Sequence, residues 1–192
     1  MQRTAIRWAM VTAFLVVLMA SAAVADPGVT ANVYRFTDGS SVAGAWSTLA
    51  IGDSSARMTL QTSGLPAGHT VTVWWVIFNE PLNCTHPEAG LRCGHGDLPP
   101  FGGDDSAVTS LVYAAGHEIG GAGRATFSAQ LAIGDDSGAL WGPGLIDPSG
   151  ADIHLLVRDQ GQLTPQQRSG GIRNFSLCNP TCTNLQFSPH EQ

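Results

Sequence analysis

Hydrophobic and polar residues alternate along much of this chain. The run Arg57-Met58-Thr59-Leu60-Gln61 is polar, apolar, polar, apolar, polar. Period-two alternation puts one set of side chains on a buried face and the other on a wet one. Thr70–Phe78 is apolar at almost every position. Val71, Val73, Trp75 and Ile77 fall on one face of such a strand, and Trp74, Val76 and Phe78 on the other. That predicts a central strand covered on both sides. Further β-rich runs are expected at 32–37, 45–51, 56–62, 108–114, 124–131, 152–157, 172–177 and 185–188. Gly, Pro and Asp-Ser turns separate them, and no stretch sustains a 3.6-residue period. The pattern predicts an all-β fold, an antiparallel β-sandwich or barrel-like domain of about 8–9 strands.

Two stretches look alike. Leu49-Ala50-Ile51-Gly52-Asp53-Ser54 matches Leu131-Ala132-Ile133-Gly134-Asp135-Asp136, and each is followed by Gly-Leu, a Pro-containing turn and another strand. This raises the expectation of an internal duplication, with two halves sharing one core. Residues 79–106 break the strand pattern with Pro81, Pro87, Pro99 and Pro100, two Cys and two His. Irregular connections beyond ~12–15 residues are uncommon and are often functional.

The first residues change the length that matters. Arg3 and Arg7 precede an apolar run, and Ala23-Val24-Ala25 is a small-residue cleavage signal. Residues 1–25 are therefore read as a signal peptide and 26–192 as a single domain, secreted or periplasmic. The apolar run is short for a membrane span, which needs ~20 residues. No second such run follows, so no membrane span is expected in the mature chain, which is expected to be a monomer. The nine basic residues of the whole chain fall to seven against 15 acids, moving the net charge from −6 to −8. An acidic chain with no basic run along its sequence argues against nucleic acid and against heparin-like partners.

Cys84, Cys93, Cys178 and Cys182 allow three pairings. In an oxidising compartment the local pairs 84–93 and 178–182 are expected, with cross-linked pairings as the alternative. The first would staple the long loop. Cys84-Thr85-His86 and Cys93-Gly94-His95 also place two His beside the staple. His86 and His95 with Asp97 form a candidate copper or zinc set. The plainer reading is two exposed loop histidines and no cofactor. Gly-Asp turns at 52–55, 103–106 and 134–137 hold acids that could ligate Ca²⁺, but Asp and Ser bond their own backbone in turns without any ion. No G-x-S-x-G elbow and no H-E-x-x-H helix is present. Trp46, Trp74, Trp75 and Trp141 raise a carbohydrate-binding reading, with Trp75 assigned to the core and Trp74 and Trp141 as the candidate ligand aromatics.

The segment Thr70–Phe78 with Asn79, Pro81, Cys84, Cys93-Gly94 and Asp97-Leu98, followed by Gly142-Pro143-Gly144-Leu145 and Ile153-His154-Leu155, resembles a family of secreted bacterial β-rich proteins of uncharacterised function. The Gly-Leu turn and the Ile-His strand are also similar to those of chordin-type β domains. The resemblance implies a secreted β-rich domain and assigns no catalytic residues. The function read from the sequence is an exported, non-catalytic binding or interaction module with an extracellular or cell-envelope partner. The alternatives are a copper- or zinc-handling protein or metalloenzyme using the loop histidines, and a carbohydrate-binding module.

Overall fold

The computed structural model describes residues 28–162 and 182–192. The leader, the expected strand at 172–177 and Cys178 lie outside the described residues.

Among these residues nine strands form one antiparallel sheet that curls into a half-barrel. They are β1 (Val29–Arg35), β2 (Ser41–Gly52), β3 (Ser55–Ser63), β4 (Thr70–Phe78), β5 (Thr109–Glu118), β6 (Arg124–Ala132), β7 (Ala139–Trp141), β8 (Asp152–Asp159) and β9 (Thr183–His190). Their order across the sheet is β6-β3-β2-β1-β9-β8-β4-β5-β7. The barrel-like alternative therefore describes the architecture, and a two-sheet sandwich does not. Among the described residues, no helix is long and apolar enough to cross a membrane.

Alternation along each strand supplies the inner core. Val33, Leu49, Leu60, Trp75, Phe127 and Leu155 are buried together inside the curl. Curling brings β5 and β6 into contact although no ladder joins them. His117 on β5 lies 5.0 Å from Phe127 on β6, centroid to centroid. All nine residues of β4 are buried, as its apolar run predicts. Its inward residues join the inner core. Trp74, Val76 and Phe78 face outward into a second cluster with Cys93, Leu98, Ala107 and Leu111. The long loop is therefore a lid over the back of β4 and β5.

The two similar stretches do not build the same unit. Asp53 and Ser54 close a two-residue hairpin in which Gly52 pairs with Ser55. In the second stretch β6 and β7 do not pair, because the chain passes from one end of the sheet order to the other. An isolated parallel bridge between Ile133 and Leu145 marks this crossing. The shared Gly-Asp sequence encodes turn chemistry, and strand partners are set elsewhere.

Candidate functional site

The loop that stood out in the sequence is held in place by a disulfide, a buried carboxylate and close backbone packing. Cys84 and Cys93 form a disulfide. Cys182 is also disulfide-bonded, and its expected partner Cys178 lies outside the described residues. Asp97 sits in a single turn of 3-10 helix, His95–Asp97, with its side chain only 3% exposed. Its Oδ1 accepts the backbone N–H groups of Thr85 at 2.7 Å and His86 at 3.0 Å, and its Oδ2 accepts that of Gly94 at 3.0 Å. Burial pushes the Asp97 carboxyl up, but these backbone donors outweigh it and hold it below the usual carboxylate value. Gly94 and Gly103 fit tightly, since a Cβ would meet the His86 carbonyl oxygen at 2.4 Å or the Asp97 carbonyl at 2.5 Å. Arg92 ties the loop to the sheet. Its guanidinium lies 3.5 Å from the fully buried Asp152 carboxylate, and its backbone N–H donates to Glu191.

This arrangement does not gather the expected metal set. His86 Nδ1 lies 3.3 Å from Asp97, whereas His95 pairs with Glu88. Both imidazoles are mostly exposed, at 61% and 62%. Among the described residues, the one trio of His, Cys or acid ligand atoms within 4.8 Å of one another is Cys84, Cys93 and Asp97. Its two sulfurs are joined in the disulfide and offer no thiolate. Four loop aspartates are likewise satisfied by neighbours in sequence. Asp135 accepts from Ser137 and Asp147 from Ser149, each through both N–H and O–H. Asp104 accepts the Ser106 N–H, and Asp105 accepts from Thr109.

Trp74 is not a ligand aromatic. It is 1% exposed, its indole N–H donates to Thr72 Oγ1 at 2.8 Å, and it meets Tyr113 edge-on. The outward face that carries it is roofed by the loop. Trp141 is partly buried against the same cluster. A Ser–His contact does exist inside the curl, where Ser47 Oγ lies 2.7 Å from His190 Nε2. Ser47 and Ser188 share a second bond at 2.7 Å. Ser47 and Ser188 are 0% exposed and His190 3%. Among the described residues His190 Nδ1 has no hydrogen-bond partner, so no described carboxylate orients the ring. The pair packs the interior and does not make a hydrolytic triad.

The opposite side of the barrel is open among the described residues. Four strands, β6-β3-β2-β1, have an outer face that no described element covers. Their register lines up side chains in rows across the sheet. One row is Asn32, Trp46, Gln61 and Thr126. The next is Thr30, Thr48, Thr59 and Ser128. Arg57 and Gln130 begin a third, with Arg57 Nε donating to Gln130 Oε1 at 3.0 Å. No family model, curated protein or solved structure matches this chain. The site therefore rests on its own geometry. A cleft of about 470 Å³ adjoins the first row, lined by Ala43, Gly44, Gln61, Ser63, Arg124 and Thr126 among others. The sequence marked this face only through the alternation of residues 57–61 and by naming Trp46 among the tryptophans.

Proposed function

We propose that this protein is an exported, non-catalytic binding module that uses the outer face of β1, β2, β3 and β6. The observation that carries the reading is that open face, with its tryptophan and its registered rows of amides and hydroxyls. Side chains of this kind bind by hydrogen bonding and stacking and need no reaction centre. The leader, with cleavage behind Ala25, delivers the domain to an oxidising compartment, in keeping with the disulfide that staples the lid loop. The likeness to secreted bacterial β-rich proteins fits the same placement. The module acts as a monomer, with its lid loop as structural cover.

Photo-crosslinking tests this without assuming a ligand. A photo-reactive residue at Gln61 or Thr59, in protein exported by its own leader, is expected to give discrete adducts in the native compartment. The same residue at Leu140, which is 49% exposed and lies on β7, is expected to give none. Equal labelling from both positions, or none from either, removes the open face as the working surface.

A further inference from the structure

We propose that, contrary to the expectation drawn from the linear charge pattern, the open face binds a polysaccharide that carries carboxylates, a polymer of the uronic-acid kind, with a sugar ring stacked on Trp46 and a carboxylate held by Arg124 in the adjoining cleft. This rests on the binding-module reading above and names its ligand class.

Charge supplies the first argument. None of the 15 acidic residues of the chain lies on β1, β2, β3 or β6. Those strands carry Arg35, Arg57 and Arg124 instead. Arg35 is engaged by Ser40 and Ser41. Arg57 is anchored by Gln130. The Arg124 side chain is exposed and has no hydrogen bond or ion pair among the described residues. In a chain of net charge −6, this face is where an anion is repelled least, and Arg124 offers it a planar two-pronged donor. Asp53 sits at the opposite end of β3 from the cleft, whereas Asp38, in the turn that leads into Ala43 and Gly44, lies toward it with its carboxylate taken by Ser40.

Chemistry of the neutral side chains supplies the second. Asn32, Gln61, Thr126, Thr48, Thr59 and Ser128 each offer both donor and acceptor atoms. Sugar hydroxyls also do both, so a hydroxyl-rich chain can be satisfied at every row. Neighbouring strands are ~4.8 Å apart, so a four-residue row runs ~15 Å across the sheet. An extended polymer can lie along that row. Trp46 is partly exposed in the middle of it, between Asn32 and Gln61. It offers a flat apolar ring with a polar edge, suited to the C–H face of a sugar.

The cleft supplies the third. Its volume of about 470 Å³ lies in the range of small-molecule sites, ~300–1,000 Å³. Gly44, with φ +70° and nothing near its missing side chain, keeps one wall low. Protein partners favour a desolvated aromatic pocket ringed by apolar contacts. This face has rows of small polar groups instead.

The test is affinity electrophoresis and calorimetry of the full exported chain with polygalacturonate, with dextran as the neutral arm. Binding to polygalacturonate is expected, weakening as salt is raised, with dextran bound at least ~10-fold more weakly. Arg124→Gln and Trp46→Ala should each weaken polygalacturonate binding by ~10-fold or more. His95→Ala, on the lid loop, should leave it unchanged. Arg124 is exposed, so R124Q keeps the test sound even if W46A disturbs folding. The ligand class is overturned by no binding to polygalacturonate, by equal binding to dextran, or by binding that survives both substitutions. Protein adducts at Gln61 with no polygalacturonate binding would overturn the polysaccharide and leave the module reading standing. No adduct and no polymer binding would remove both.

Discussion

Asp97→Asn is expected to undock the lid loop while leaving the sheet folded. The carboxylate accepts three backbone N–H groups in a nearly closed site, two at Oδ1 and one at Oδ2. An asparagine keeps one acceptor oxygen. With that oxygen toward Thr85 and His86, its amide N–H₂ points at the Gly94 N–H, so one bond is lost and one buried donor is orphaned. A hydrogen bond to a charged group contributes ~1.5–3 kcal/mol and an orphaned buried donor costs ~1–3 kcal/mol. The two overlap, so the loss should be about 2–3 kcal/mol for Asn, and about 4 kcal/mol or more for Ala, which orphans all three donors. The His86 side-chain contact is a separate matter. Its imidazole is 61% exposed, so His86→Ala should cost under ~1 kcal/mol. Hydrogen exchange at Thr85, His86 and Gly94 reads loop docking directly, and near-UV dichroism of Trp74 reads the packing beneath it. Because the folded carboxyl lies below its ordinary value, its contribution is full above the unfolded pKa of ~3.9 and is lost only as pH falls through the lower folded value. Unchanged exchange at those three amides in Asp97→Asn, or a His86→Ala loss as large as the Asp97→Asn loss, would refute this account.

Opening the staple by Cys84→Ser with Cys93→Ser should cost about 2.5–3 kcal/mol by the loop-entropy estimate, read from urea midpoints of oxidised and substituted protein. Gly142→Ala should destabilise strongly, because φ is +82° there and a Cβ would sit 2.1 Å from the Thr109 carbonyl oxygen. A thermal midpoint within a degree or so of the parent would contradict that packing. Acid should weaken the fold well above the carboxylate range. Burial lowers both His154 and His190 to about 4, so their neutral forms are stabilising above the unfolded value of ~6.5, and that stability is lost as pH falls from 6.5 through 4. The loss is roughly 3 kcal/mol per histidine, opposed in part by Asp152, whose carboxyl is raised by burial. Urea midpoints from pH 7 to 4.5 should fall in the parent and fall less in His154→Phe. A flat parent profile would be the contrary result.

Local pattern carried most of the sheet into view. The apolar run of β4 predicted burial on both faces, and both faces are buried. The expected β2 began four residues late, because Ser41-Val42-Ala43-Gly44 is small and nearly featureless. The missed strand, β7, has three residues, too few to alternate. The apparent duplication misled for a related reason. Leu-Ala-Ile-Gly-Asp specifies a strand end and its turn, whereas partner strands depend on contacts far along the chain. Trp74 was misassigned because alternation shows that it faces away from Trp75 but not that a loop from residues 79–106 roofs that face.

The open face was hidden because its members are distant in sequence. Gln61 meets Thr126 and Arg57 meets Gln130 only after β3 and β6 pair, so a linear scan finds no basic cluster. Its freedom from acids was nonetheless readable, and strand propensity alone does not produce it. Asp disfavours strands because it bonds its own backbone in turns, which accounts for Asp38, Asp53, Asp104, Asp135 and Asp147. Yet β8 carries Asp152 and Asp159, and β5 carries Glu118. Strands of this sheet therefore accept acids. The outward positions of β1, β2, β3 and β6 hold Thr, Ser, Gln, Asn and Arg together with Trp46 and small residues such as Ala50 and Ala132, and no acid. Solubility in an acidic chain would be served as well by Glu at any of those exposed positions. An anionic ligand, as proposed above, would make Glu costly at each of them.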